Sequence, residues 1–154
     1  MCGIVGGFGT YLSTESLASA LRTLTHRGPD KEYFFSSNYF MGAVNRLAIN
    51  DLNDGNQPFR GIRPTTVAIY NGEIYNHRNL RNMLKAKSIR VNQQVDGAVI
   101  PFLYDLYGLD FLDMLDGMFA IAIFDGVAKT LTLARDVAGE KPLYYSQHKN
   151  NIFF

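Results

Sequence analysis

Met118-Phe119-Ala120-Ile121-Ala122-Ile123-Phe124, then Asp125-Gly126, then Leu131-Thr132-Leu133-Ala134 is the stretch from which the architecture follows. Two apolar runs rich in Ile, Phe and Leu flank an Asp-Gly turn signal, the pattern of adjacent antiparallel strands. Strand-like runs recur outward from this pair. Residues 142–145 and 152–154 follow it, and residues 33–35, 40–47 and 66–70 precede it. At the N-terminus, Met1-Cys2-Gly3-Ile4-Val5-Gly6-Gly7-Phe8-Gly9 reads as a buried strand closed by a glycine turn. Helical spacing fills the gaps. Ser13 and Thr14 cap a helix carrying Leu17, Ala18, Leu21 and Leu24, which Arg27-Gly28-Pro29-Asp30 stops. Asn76 is placed to cap a second helix through about Lys87, with Leu80 and Leu84 on one face, and residues 98–107 form a third. Residues 51–64 have the Asn, Asp, Gly and Pro density of a surface loop. Strands gather at the two ends with little βαβ alternation, so the expected fold class is α+β, antiparallel sheets packed with helices in one domain.

The chain has 154 residues, 47% of them hydrophobic, with 15 Lys+Arg against 14 Asp+Glu and a net charge of +1. That length buries enough surface to need neither disulfides nor a structural metal. The near-neutral balance excludes the broad basic face that nucleic acid or an anionic membrane would require. The longest stretch without Asp, Glu, Lys or Arg is residues 1–14, glycine-rich and too short to span a bilayer. No Lys or Arg precedes Arg22, which argues against a signal peptide, and the expected location is cytoplasmic.

Cys2 is the single cysteine. If Met1 is removed, its thiol and a free α-amine share one residue, and an α-amine titrating near 8 is partly free base at neutral pH. The nucleophile then carries its own base. The same cysteine also serves as a small apolar residue at the start of a strand. Gly7-Phe8-Gly9 is no dinucleotide loop, since Leu12 stands where the last glycine belongs, and no P-loop occurs. His26, His77 and His148 are scattered without zinc-site spacing, and His26 is expected to hydrogen-bond backbone at a helix end. Arg46, beside Leu47, suits a carboxylate clamp or a surface ion pair equally. Asn71-Gly72 offers an amide and a backbone N–H, the donors of an oxyanion hole, and is equally a turn signal. Asp96 suits an ammonium partner or a helix start.

The segments MCGIVGGFG, HRGPD, NRLAIND followed by GNQP, YNGEIYNH, VDGAVI, LDGMFAIAIFD and ARDVAGEKPLYY, in this order, closely resemble the glutaminase domain of the glutamine-hydrolysing asparagine synthetases. That branch sits in the class II glutamine amidotransferases, within the N-terminal-nucleophile hydrolases. The resemblance implies a four-layer αββα sandwich. It implies that Cys2 attacks the glutamine amide, that Asn71 and Gly72 form the oxyanion hole, and that Arg46 clamps the α-carboxylate. Glu73 and Asp96 match residues around the α-amino group, and Leu47, Ile49 and Asn50 match the strand lining the pocket. Glutamine and an ATP-dependent synthetase domain or subunit are the implied partners. No cofactor is implied for this domain, and ATP and Mg only for the synthetase, whose domain the chain lacks. A homodimer is left open, and beside the family residues 1–154 read as a domain short of its last segment.

Departures accompany the match. Val95 and Ala98 stand where the family has Ser and Glu around Asp96, and Val44 replaces a usual His. Val95 and Ala98, with the missing last segment, motivate the competing expectation of a non-catalytic binding or regulatory module with the same fold.

Overall fold

The computed structural model describes residues 2–10, 13–47 and 55–154. Its strands form two antiparallel sheets. The first is ordered β2 (Lys31–Ser36), β3 (Phe40–Arg46), β1 (Gly3–Phe8), β9 (Asn151–Phe153) and β8 (Ser146–His148). The second is ordered β4 (Phe59–Arg60), β5 (Thr66–Ile74), β6 (Gly117–Asp125) and β7 (Thr130–Arg135). The helices are α1 (Thr14–Thr23), α2 (His77–Ala86) and α3 (Ile100–Tyr107). None of the described helices is long and apolar enough to cross a membrane.

Period-two alternation along the strands sets the layers. On β3, Met41 and Ala43 pack against Leu17 and Leu21 of α1. The intervening residues face the other sheet, where Val44 packs on Ile69 and Ala122, and Phe40 stacks on Phe124 with ring centroids 5.1 Å apart. On β5 and β6 the outward set, including Tyr70, Ile74, Ile121 and Ile123, packs against Leu80, Leu84 and Leu103 of α2 and α3. The order is helix, sheet, sheet, helices, the αββα sandwich expected from the resemblance.

Most expected elements are present, and several differ locally. Ser13 caps α1, its Oγ accepting from Ser16 N at 3.3 Å. Asn76 makes no side-chain cap to α2; its amide donates to Met114 O at 2.9 Å and accepts from Asp116 N at 3.1 Å, tying the helix start to the chain before β6. The third helix begins with a 3₁₀ turn, Asp96–Val99. Within the expected loop, residues 51–54 lie outside the described residues, whereas Phe59 and Arg60 pair with Ala68 and Val67. Residues 142–145 form no strand; pairing starts at Ser146, because Pro142 and Leu143 instead line a cavity beside Cys2.

Asn71-Gly72 is no turn. β5 runs straight through it, with Asn71 opposite Ala120 and Gly72 opposite Phe119, and the pairing ends only at Ile74 and Gly117. A Cβ on Gly72 would lie 2.1 Å from Met118 O, so glycine here permits close approach of two backbones and not a reversal.

Candidate active site

The pocket opens where β1 starts, β3 ends and β5 ends. It encloses about 150 Å³, and its lining includes Cys2, Arg46, Leu47, Gly72, Glu73 and Asp96. Asn71 reaches Cys2 from β5 of the facing sheet. Ile49 and Asn50 lie outside the described residues.

Alternation accounts for the meeting of Cys2 and Asn71. Cys2 packs with the intersheet cluster, and Asn71 falls on the same face of β5 as Ile69. Cys2 N donates to Asn71 Oδ1 at 2.8 Å, and Asn71 is 4% exposed. This nitrogen belongs to the Met1–Cys2 peptide here and becomes the α-amine if Met1 is removed. With Oδ1 occupied, the Asn71 Nδ2 donors point the other way.

Gly72 supplies a second donor by a ladder argument. Phe119, its opposite number, spends both backbone groups on Asp136: Phe119 N donates to Asp136 Oδ2 at 3.1 Å and Phe119 O accepts from Asp136 N at 2.9 Å. Gly72 and Phe119 are therefore a pair without mutual hydrogen bonds, and the Gly72 N–H points to the opposite edge of β5. The flanking N–H groups on that edge are both taken. Tyr70 N donates to Gln57 Oε1 at 2.7 Å and Ile74 N to Asp96 Oδ2 at 2.7 Å. The Gly72 N–H lies between them, facing the pocket.

Arg46 is buried at the end of β3, where Asp30 N bonds to its carbonyl at 3.0 Å. Gly55 closes over its guanidinium with φ +86°; a Cβ there would sit 3.0 Å from Arg46 Nη2 and 2.8 Å from Val95 Cγ1. Only glycine combines that conformation with that proximity. Asp96 Oδ2 accepts from Tyr70 OH at 2.5 Å as well as from Ile74 N. Burial and then the Asp96 carboxylate hold the Tyr70 phenol far above its usual range, so it stays a neutral donor to Asp96. Glu73 is exposed at the pocket rim.

Gln57, Tyr70 and Lys141 are among the lining residues that the sequence did not point to. Gln57 imitates a strand, donating from Nε2 to Tyr70 O at 2.8 Å while accepting from Tyr70 N. Its place in GNQP was legible, its role only from the pairing. Tyr70 read as strand, and Lys141, 5% exposed, as part of the GEKPLYY ending. The backbone of Lys141 is pinned by Asp136, whose Oδ2 accepts its N–H at 3.0 Å. His26 lies where expected, with its Nδ1 3.1 Å from Thr23 O. Val44 and Ala98 are buried in the two intersheet and outer cores, and Val95 packs against the latter.

Chemically, the pocket joins a thiol, two backbone-ordered donors, a buried guanidinium and a carboxylate. A family model for the glutamine amidotransferase domain matches residues 1–154. The chain is 40% identical over 148 residues to "Asparagine synthetase [glutamine-hydrolyzing] 2" of Arabidopsis thaliana, covering 94% of this chain and 25% of that protein. To "Asparagine synthetase [glutamine-hydrolyzing] 1" of Bacillus subtilis it is 35% identical over 160 residues, covering 100% and 25%. It thus spans about a quarter of the length of these relatives. Its backbone is similar to glutamine phosphoribosylpyrophosphate amidotransferase from B. subtilis, with a TM-score of 0.79, 17% identity, and coverage of 99% of this chain and 41% of that one. With its whole length matched by one family model, the chain belongs to the glutamine amidotransferase domain family.

Proposed function

We propose that this chain is the glutaminase half of an asparagine synthetase-like amidotransferase, hydrolysing glutamine to glutamate and ammonia. Once Met1 is removed, the Cys2 α-amine takes the thiol proton and Sγ adds to the glutamine side-chain amide carbon. The carbonyl oxygen becomes an oxyanion between Asn71 Nδ2 and the Gly72 N–H. Its collapse expels ammonia, protonated by the α-ammonium, and leaves a γ-glutamyl thioester on Cys2. Water then adds to the thioester, giving its proton to the amine; glutamate departs and the thiol is restored. Arg46 takes the α-carboxylate and Asp96, with Glu73 at the rim, the α-ammonium, while Leu47 lines the site. Holding both α-substituents sets the amide carbon against Sγ and rejects bare amides.

The observation that carries this reading is the convergence on Cys2 of the Asn71 amide and the unclaimed Gly72 N–H of the same strand. Ammonia is passed to an ATP-dependent amide-forming domain or subunit, with aspartate the default acceptor. Support for that partner is that the relatives named above are asparagine synthetases about four times as long. The glutaminase step itself uses no cofactor; ATP and Mg belong to the synthetase half.

A glutamine-like electrophile such as diazo-oxo-norleucine tests the reading. Peptide mapping is expected to find it on Cys2, with L-glutamine protecting. Labelling that glutamine does not slow would contradict the site.

A further inference from the structure

The segment that delivers Asp96 to the pocket has little secondary structure of its own. Residues 89–95 belong to no helix or strand, and the following 3₁₀ turn, Asp96–Val99, starts from Val95, whose side chain makes no cap. A hydroxyl at that position would hold the turn from inside. Here the anchor comes from outside. Arg81, half-buried on α2, donates from Nη1 to Val91 O at 3.2 Å and from Nη2 to Gln94 O and Val95 O, each at 3.1 Å. One planar guanidinium thus gathers carbonyls from both ends of the segment, the last belonging to the residue before Asp96. The fork of donors suits this; an ammonium cannot reproduce its fixed angles.

We infer that Arg81 is a positioning residue for glutamine recognition: through the residue 91–95 backbone it sets Asp96, and with it selectivity for substrates that carry an α-ammonium. This rests on the glutaminase reading above. Asp96 also bonds Ile74 N and Tyr70 OH through one oxygen, so a shift of the 3₁₀ turn moves the carboxylate relative to β5. Arg46 is carried by β3, in the other sheet, and not by residues 91–95, so the α-carboxylate clamp is expected to change less than Asp96.

The test separates the two substrate ends by calorimetry in a Cys2→Ala background, where binding is read without turnover. L-Glutamine is compared with glutaramate, which is glutamine lacking its α-ammonium. Arg81→Met is expected to weaken L-glutamine by about tenfold, the effect of misplacing one charged hydrogen bond, and to leave glutaramate within about twofold. Arg81→Lys falls between. Equal weakening of both ligands, or no change in either, overturns the inference. A Cys2 chain that releases no glutamate while its Cys2→Ala form binds glutamine with this selectivity pattern would overturn the glutaminase reading alone.

Discussion

Asn71 Oδ1 receives Cys2 N, and the proposed mechanism assigns its Nδ2 to the substrate oxygen. Asn71→Ala is accordingly expected to lower kcat by about 10²–10³-fold with KM changed far less, as for loss of one oxyanion donor. Steady-state kinetics with glutamine reads the split. Arg46 is expected to show the opposite pattern. It is buried, so Arg46→Met leaves an unpaired substrate carboxylate and weakens binding by about 3 kcal/mol, roughly a hundredfold in KM. The residues visible beforehand were those whose chemistry is carried by type and order, such as Cys2, Arg46 and Asp96. Gln57 and Arg81 were not, because each works by bonding backbone far away in sequence, Tyr70 in one case and residues 91–95 in the other.

At the scale of elements, β5 shows why the sequence reading stopped early. Asn-Gly is a strong local turn signal, and the strand was expected to end at Tyr70. Pairing with β6 through Met118 and Phe119 overrides that preference, and the strand carries its donors to the pocket. The consequence is specific. Gly72→Ala places a Cβ 2.1 Å from Met118 O, which is backbone and cannot step aside. The substitution is expected to cost about 1–3 kcal/mol of stability by overpacking and to abolish hydrolysis, read by urea denaturation and glutamate release. The Ser13 cap and the strand-like run at β3 were legible because local preference and burial agree there. The Phe59–Arg60 pairing was not, since two residues give no periodicity to read.

Across the molecule, buried carboxylates tie the elements together. Arg63 bridges Asp105 of α3 at 2.7 Å and Asp125 of β6 at 2.9 Å. Asp136 ties the end of β7 to β6 and to the Lys141 backbone. Burial alone would raise Asp125 and Asp136, but backbone N–H donors, joined at Asp125 by Arg63, outweigh it and hold both below the usual carboxylate range. A depressed folded-state value means that the stabilisation is complete above the unfolded value of about 4 and fades as pH falls below it. Urea midpoints are expected to drop below pH 4, and Asp136→Asn to lower the midpoint at pH 7 while flattening that acid loss. Asp105→Ala, which leaves Arg63 with Asp125 alone and the buried Thr66 hydroxyl without its acceptor, is expected to cost about 1–3 kcal/mol, measured by the same denaturation.

The sandwich brings its two sheets together so that the residue preceding β1 meets Asn71 within β5, and the activity proposed for it stands on that meeting. Glutamate and ammonia release from L-glutamine, by chain with Met1 removed and by folded Cys2→Ala, measures it. Equal amounts of both products from the first and none above background from the second are predicted. Release that persists without Cys2, or is absent from correctly processed Cys2 chain, would contradict it.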